Sequence, residues 1–150
     1  IGSGARNILL LKLPDVSRAP VFQLKSGGAT VAAQVLDYNQ KLDALAVSLR
    51  QQYGVNIQVF DSYALFGDLL TNPAKYQVSN TTQSCLNINT DSSLNYMQSQ
   101  SPRANCGNAD TFVFWDTLHP TTHTHLLLGN AVADFLNASG SAFPALKTLR

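Results

Sequence analysis

The chain has 150 residues, of which 45% are hydrophobic and 13% charged, with a net charge of +1 at pH 7. This length and apolar fraction fit one globular domain and argue against a disordered segment. No apolar run approaches the ~20 residues that a membrane-spanning helix needs, and ten basic against nine acidic residues, without a Lys/Arg cluster, give no electrostatic reason to expect nucleic acid binding.

The first 60 residues predict a strand, a long helix and a second strand. Residues 7–13 form a continuous apolar run, as in a strand that is buried on both faces. After a polar loop, apolar residues recur at three- and four-residue steps from Val31 to Tyr53, the spacing of an amphipathic helix that Gly54 ends. Apolar and polar residues alternate from 55 to 59, which predicts the second strand.

The rest of the chain continues the alternation of helices and strands. Asp61 is placed to cap a short helix that ends at Asn72-Pro73. Residues 75–110 are polar and predicted to be irregular, 111–115 form a third apolar strand, and 121–136 an amphipathic helix. This order predicts an α/β sandwich built on a parallel sheet. Because three strands would leave a long unpaired edge, we expect additional strands from elsewhere.

The two cysteines predict a disulfide. Cys85 and Cys106 lie in a polar stretch, and their spacing fits neither a zinc knuckle nor a Cys-x-x-Cys redox motif. A single bridge is favoured over two free thiols and would stabilise the fold by roughly 3 kcal/mol. The loop 85–106, which contains Leu94, Tyr96 and Met97, is interpreted as a surface insertion. A lid or regulatory loop beside a functional site is the alternative.

The segment 114–120 carries the strongest chemical signal. It places Asp116 and His119 three residues apart, directly after a predicted strand and before a helix. The carboxyl end of a parallel strand is where α/β proteins bind ligands. An Asp carboxylate that accepts a hydrogen bond from a His ring fixes its tautomer and stabilises the imidazolium, as the activation of a serine hydroxyl requires. The alternative is that Asp116 caps the turn and His119 is a surface residue.

Most of the chain resembles the GDSL/SGNH serine hydrolases. Residues 116–120 are similar to the family's Asp-x-x-His-Pro block, residues 7–20 to its Asn-Ile-Leu-Val strand and Leu-Pro-Asp loop, and residues 38–42 to its Phe-Asn-x-x-Leu helix. Residues 60–76 resemble its Phe-Asp-x-Tyr and Asn-Pro-x-x-Tyr stretch. The most similar branch is that of bacterial secreted lipases, lysophospholipases and glycerophospholipid–cholesterol acyltransferases.

The resemblance implies an α/β/α sandwich with a parallel sheet, the flavodoxin-like SGNH-hydrolase fold. It also implies that His119 is the catalytic base and Asp116 its orienting acid. The chain contains neither the Gly-Asp-Ser block that supplies the nucleophile nor the Gly-x-Asn-Asp block of the oxyanion hole, and the glycine-flanked Ser3 and Ser141 fit neither context.

We therefore expect residues 1–150 to be the C-terminal part of a single SGNH hydrolase domain, incomplete in this chain. The nucleophile would come from an N-terminal segment or a separate chain of the same enzyme. The sequence shows no signal peptide and begins with Ile rather than Met, so we expect a processed chain or a piece of a longer one.

Several residues in and around this block have competing interpretations. His119, His123 and His125 could hold a metal with Asp116, although Pro120 and the lack of an intervening Glu argue against a zincin helix. His123 and His125 are otherwise expected to be solvent-exposed residues of the first helical turn.

Two further side chains carry the same ambiguity. Asp61 is expected to be a helix cap rather than a second catalytic carboxylate. Trp115 is expected either to line an acyl pocket or to belong to the core.

The resemblance implies a bacterial enzyme, secreted or on the exterior of the cell envelope, that hydrolyses lipid esters through a serine acyl-enzyme. It would be a phospholipase A or lysophospholipase, with acyl transfer to an alcohol as a variant of the reaction. We expect a lipid ester substrate, peripheral contact with a membrane surface, no nucleic acid partner and no cofactor. The alternatives are a non-catalytic accessory fragment that kept the fold, and a metal-dependent hydrolase that uses the histidines.

Overall fold

Two pairs of parallel strands organise the chain. The computed structural model describes residues 1–24, 26–88 and 99–138. Within these ranges β1 (Asn7–Leu11) pairs in parallel with β2 (Asn56–Phe60), and β3 (Asn80–Ser84) pairs in parallel with β4 (Phe112–Phe114). The strands therefore form two separate two-stranded sheets rather than one sheet of three.

In the part of the chain that the structure describes, four α-helices connect and flank these strands. They are α1 (Pro20–Gln23), α2 (Gly28–Tyr53), α3 (Ser62–Thr71) and α4 (Thr122–Ala138). Short 3-10 turns occupy Val16–Arg18, Pro73–Tyr76 and Ala109–Thr111. None of the helices in the described ranges is long and apolar enough to cross a membrane.

Local sequence explains where the helices begin and end. Gly54 adopts the left-handed conformation, φ +60°, that ends α2 at little steric cost. The Asp61 carboxylate accepts the Ala64 amide at 2.9 Å and so caps α3. Thr121 accepts the Thr124 amide at 3.3 Å through its hydroxyl and caps α4.

Helices cover both faces of the β1–β2 pair. On one face the buried Ala46 of α2 packs against Val55 and Ile57. On the other face the Phe60 ring meets Phe135 of α4 edge-on, with the ring centroids 5.5 Å apart. Because successive strand residues point to opposite faces, β2 contributes to both layers. The mixed α/β fold with parallel strands that the resemblance implies is confirmed.

A second core packs α3 against the β3–β4 pair. Leu69 of α3, Val78, and Val113 and Phe114 of β4 are all buried in it. The Phe66 ring lies edge-on to Phe114 with centroids 5.9 Å apart. Asp116 and His119 lie in the segment that directly follows β4. The packing of β4 in this core therefore fixes the point from which that segment starts.

Two predictions of local structure are wrong, and the predicted bounds of two further elements are shifted. Asn80–Ser84 is a strand although the range 75–110 was expected to be irregular: its Asn-Thr-Thr-Gln-Ser sequence has no apolar alternation, and it is paired through its backbone. Pro20–Gln23 is a short helix within an expected loop. Strand β1 ends at Leu11 instead of residue 13, and α2 begins at Gly28 instead of Val31.

The expected disulfide is present. Cys85 and Cys106 are bonded, with their Cα atoms 5.3 Å apart. Residues 89–98 of the loop that it closes lie outside the described ranges. The lid interpretation depends on Leu94, Tyr96 and Met97, which are among these residues. The same holds for Ser141.

Candidate active site

The segment after β4 forms a closed five-residue loop. All three residues of β4 are buried, and the chain then leaves the core at Trp115. The Trp115 amide donates to the His119 carbonyl at 2.8 Å, so residues 115–119 return on themselves before α4 begins. We call residues 115–119 the Asp-His loop.

Asp116 caps this loop and binds the histidine at the same time. Its side chain is 10% exposed. Oδ1 accepts the backbone amides of Leu118 at 2.8 Å and His119 at 2.6 Å, while Oδ2 lies 2.8 Å from Nδ1 of His119. The two sequence interpretations of Asp116, as a turn cap and as an orienting acid, are therefore not exclusive, because each carboxylate oxygen serves one of them.

The imidazole of His119 points outward, while the carboxylate that holds it is buried. Its side chain is 62% exposed, against 10% for Asp116. Because an ionised carboxylate only accepts hydrogen bonds, Nδ1 is the nitrogen that carries the proton in the neutral ring, and the lone pair is on Nε2. An imidazole in this tautomer can take a proton at Nε2 while Asp116 stabilises the resulting positive charge.

Backbone hydrogen bonds fix the Asp-His loop to the neighbouring segments. Thr117 is fully buried, and its carbonyl accepts the Val21 amide of α1 at 2.8 Å. The Trp115 carbonyl accepts the Leu86 amide at 2.9 Å, directly beside the disulfide. The position of the Asp116–His119 pair therefore depends on α1 and on the segment that begins the disulfide loop.

The other two histidines do not join this pair. His123 Nε2 lies 2.9 Å from the Tyr76 carbonyl and is half-buried, so the expectation that it is solvent-exposed is wrong; His125 is exposed. Among the described residues no three His, Cys, Asp or Glu side chains are grouped as a metal ion would need.

Asp61 is the helix cap that the sequence predicts, whereas Trp115 does not belong to the core. Asp61 caps α3 and receives a hydrogen bond from Lys12 Nζ at 3.2 Å, as a structural residue would. Trp115 is 41% exposed, so its interpretation as a core aromatic is wrong. Its neighbour on the Asp-His loop, Leu118, is 37% exposed as well.

An apolar groove of about 270 Å³ begins beside the Asp-His loop. Pro120, which is bonded to His119, lies on its wall. The apolar side chains that line most of it come from β1, the loop after it, α3 and α4: Leu11, Leu13, Leu65, Phe66, Leu127 and Leu128. These residues lie far apart in the sequence, which is why no local pattern predicted the groove.

A charged cluster lies at the end of α3 that faces Tyr76, a residue of the groove wall. The Asp68 carboxylate accepts from Lys75 Nζ at 2.6 Å, from the Tyr76 hydroxyl, and from Asn72 Nδ2 at 2.6 Å. The hydrogen bond from Lys75, followed by those from Tyr76 and Asn72, holds the pKa of Asp68 well below its usual 3.8. Asp68 therefore stays ionised and anchors the turn that carries Tyr76.

Comparisons with known proteins match most of the chain. The profile of the GDSL-like Lipase/Acylhydrolase family matches residues 1–132. The chain is 37% identical over 139 residues to the thermolabile hemolysin of Vibrio parahaemolyticus. The matched region covers 90% of the chain and 33% of the hemolysin. It is 30% identical over 136 residues to the GDSL esterase/lipase APG of Arabidopsis thaliana, with coverage of 86% and 38%.

A further GDSL esterase/lipase of Arabidopsis thaliana is 28% identical over 149 residues, covering 96% of the chain and 41% of that protein. The chain thus spans 33% to 41% of the length of these relatives.

Proposed function

Because the chain belongs to the GDSL-like lipase/acylhydrolase family, we propose that it supplies the acid and the base of a serine-dependent lipid ester hydrolase. The observation that carries the proposal is the Asp116–His119 pair: a buried carboxylate 2.8 Å from Nδ1 of an outward-facing imidazole. In this role Asp116 orients the ring, and His119 moves the proton.

The reaction that we propose for this pair has two steps. His119 Nε2 takes the proton of a serine hydroxyl as the serine oxygen bonds to the ester carbonyl carbon. Asp116 stabilises the imidazolium, which then gives the proton to the leaving alcohol as the ester C–O bond breaks. A water molecule, activated by His119 in the same way, hydrolyses the acyl-enzyme and regenerates the serine. An acceptor alcohol in place of water would give acyl transfer.

The serine and the oxyanion-hole donors are supplied from outside residues 1–150. This part of the proposal is supported by the lack of Gly-Asp-Ser and Gly-x-Asn-Asp in the sequence. It is also supported by β1, which among the described strands pairs with β2 alone and so offers a second edge for a further parallel strand. An N-terminal segment or a second chain of the same enzyme would fill both needs.

Lipid esters are the substrate class that we propose. The groove beside Pro120 has an almost wholly apolar surface, to which leucines and Phe66 contribute. Its volume of about 270 Å³ suits a single acyl chain. A relative that is named for haemolysis makes membrane phospholipids the first candidates, as a phospholipase A or lysophospholipase. Exposed Trp115 and Leu118 would then face the lipid surface.

We place the enzyme outside the cytoplasm, as a secreted or envelope protein. The support for this is the Cys85–Cys106 disulfide, since such bonds form and persist in oxidising compartments.

The function is tested by assaying the enzyme on phospholipid, lysophospholipid and p-nitrophenyl esters, with and without a chelator. We expect hydrolysis that the chelator leaves unchanged and that His119→Ala abolishes. Activity that depends on a metal would favour the histidine-cluster alternative. No hydrolysis of any ester, with the fold intact, would favour the non-catalytic accessory protein.

A further inference from the structure

We propose that Arg103 is a positioning residue for the Asp116–His119 pair, acting through the backbone of residues 84–88. This proposal rests on the proposed function for its catalytic consequence, although its structural part can be tested without any activity. Arg103 lies in the disulfide loop and is half-buried.

Arg103 holds residues 84–88 through several donors at once. Its backbone amide donates to the Cys85 carbonyl at 2.8 Å and its Nε to the Ser84 carbonyl at 2.9 Å. Nη2 donates to the Ile88 carbonyl at 3.2 Å, and Nη1 lies 3.4 Å from Oδ1 of Asn87. A guanidinium can reach several acceptors of one turn because its five donors form a rigid planar fork, which a lysine ammonium lacks.

The segment that Arg103 holds is bonded to the last residue of β4 and to the first residue of the Asp-His loop. The Cys85 amide donates to the Phe114 carbonyl and the Leu86 amide to the Trp115 carbonyl, both at 2.9 Å. Trp115 in turn closes the Asp-His loop through its bond to the His119 carbonyl. A continuous set of hydrogen bonds thus leads from the guanidinium to the residue before Asp116.

The disulfide alone does not fix this geometry. It ties Cys85 to Cys106, but the orientation of Leu86, whose amide meets Trp115, depends on the turn beyond Cys85. The Arg103 guanidinium bonds a carbonyl on each side of Leu86, that of Ser84 and that of Ile88. Without it we expect residues 86–88 to loosen and the Asp-His loop to lose a support, while the bridge stays closed.

Hydrogen exchange of the whole enzyme tests the structural part, with Arg103→Ala, Arg103→Lys and a matched control. The control is Arg50→Ala, which also removes a guanidinium bonded to a backbone carbonyl, that of Ile57 at 2.8 Å, away from the Asp-His loop. We expect Arg103→Ala to speed exchange in peptides covering residues 85–88 and 114–119 by about tenfold or more. Arg50→Ala is expected to change only peptides around residue 57. Arg103→Lys is expected to show the same pattern as Arg103→Ala, in smaller measure.

Steady-state kinetics test the catalytic part. We expect Arg103→Ala to lower kcat by about 10- to 100-fold with KM unchanged, because a small misplacement of the reacting groups is costly. Added methylguanidinium should restore part of the kcat of Arg103→Ala. It should not raise the kcat of Arg50→Ala. A merely structural role would lower the amount of folded enzyme without this rescue.

Unchanged exchange at 114–119 in Arg103→Ala, or equal acceleration there in Arg50→Ala, would overturn the proposal. So would a KM that rises while kcat stays constant. If Arg103→Ala does not fold, Arg103→Lys decides by the same peptides. If the wild-type enzyme hydrolyses no ester, the proposed function fails, and the exchange data still decide whether Arg103 supports the Asp-His loop.

Discussion

The side-chain amide of Asn39 binds both backbone polar groups of Leu13. Its Oδ1 accepts the Leu13 amide at 2.8 Å, and its Nδ2 donates to the Leu13 carbonyl at 2.9 Å. Asn39 lies in the middle of α2 and is buried, so it fixes the loop after β1 in the way that a neighbouring strand would. This loop forms one wall of the apolar groove.

Replacing Asn39 should therefore destabilise the protein. Asn39→Ala leaves two backbone groups of Leu13 without their partner, and we expect the free energy of unfolding to fall by about 2 kcal/mol. Urea denaturation measures this. Gln40→Ala, at the next and exposed position of the same helix, is the control and should change stability little. An equal loss in both variants would contradict the role given to Asn39.

The hydrogen bonds to Asp68 make stability depend on pH in the acid range. Since its pKa is lower in the folded protein than in the unfolded chain, the stabilisation is fully present above the unfolded value, near 3.8, and is lost as the pH falls through the folded value. We expect Asp68→Asn to lower Tm at pH 7 and the difference from wild type to shrink progressively below about pH 4.

Thermal melts at several pH values measure this difference. Asp37→Asn, which removes an exposed ion pair with Lys41, should change Tm little at any pH. A Tm difference for Asp68→Asn that is the same at pH 7 and at pH 2 would show that its ionisation is not the cause.

Asp116 and His119 should be needed for catalysis rather than for binding. We expect His119→Ala to lower kcat by about 10⁴-fold or more, and Asp116→Asn by about 10³- to 10⁴-fold. In Asp116→Asn an amide N–H that faces the ring would favour the wrong tautomer, with the proton on Nε2. Asp110→Asn, an exposed carboxylate in the preceding turn, is the control. Full activity of either main variant would remove the pair from the mechanism.

The apolar groove should set the preference for acyl chain length. Leu128 lines it from α4, and Leu128→Trp would fill part of its volume of about 270 Å³. We expect kcat/KM for long-chain esters to fall by about tenfold or more relative to that for acetate or butyrate esters.

A series of p-nitrophenyl esters of increasing chain length measures this preference. Leu45→Trp, on the exposed side of α2 and outside the groove, should leave the profile unchanged. If Leu128→Trp also leaves it unchanged, the groove does not hold the acyl chain.

Elements with a strong hydrophobic period could be predicted from the sequence. The long helix before Gly54, the strand after it and the final helix all have apolar residues at regular steps, and each was found within a few residues of its predicted bounds. Strand β3 has no such signal, because Asn80–Ser84 is polar and is defined by backbone pairing with β4. Such pairing depends on tertiary contacts that a local pattern does not record.

The residues of the candidate site also differ in how far the sequence predicts their roles. Asp116 and His119 are near in sequence, so their spacing alone suggested the contact that the structure contains. The roles of Asn39 and Arg103 could not be predicted, since each depends on carbonyl and amide groups brought close by folding. The exposure of Trp115 was missed because an aromatic after an apolar strand reads as a continuation of the core.

The central claim is that His119 activates a serine outside residues 1–150. The most direct measurement is to treat the enzyme with a fluorophosphonate probe and to map the label by mass spectrometry after digestion, in wild type and His119→Ala. We predict one labelled serine, located outside this sequence, and labelling that is lost in the variant. Label on a serine within residues 1–150, or labelling at the same rate in His119→Ala, would contradict the account.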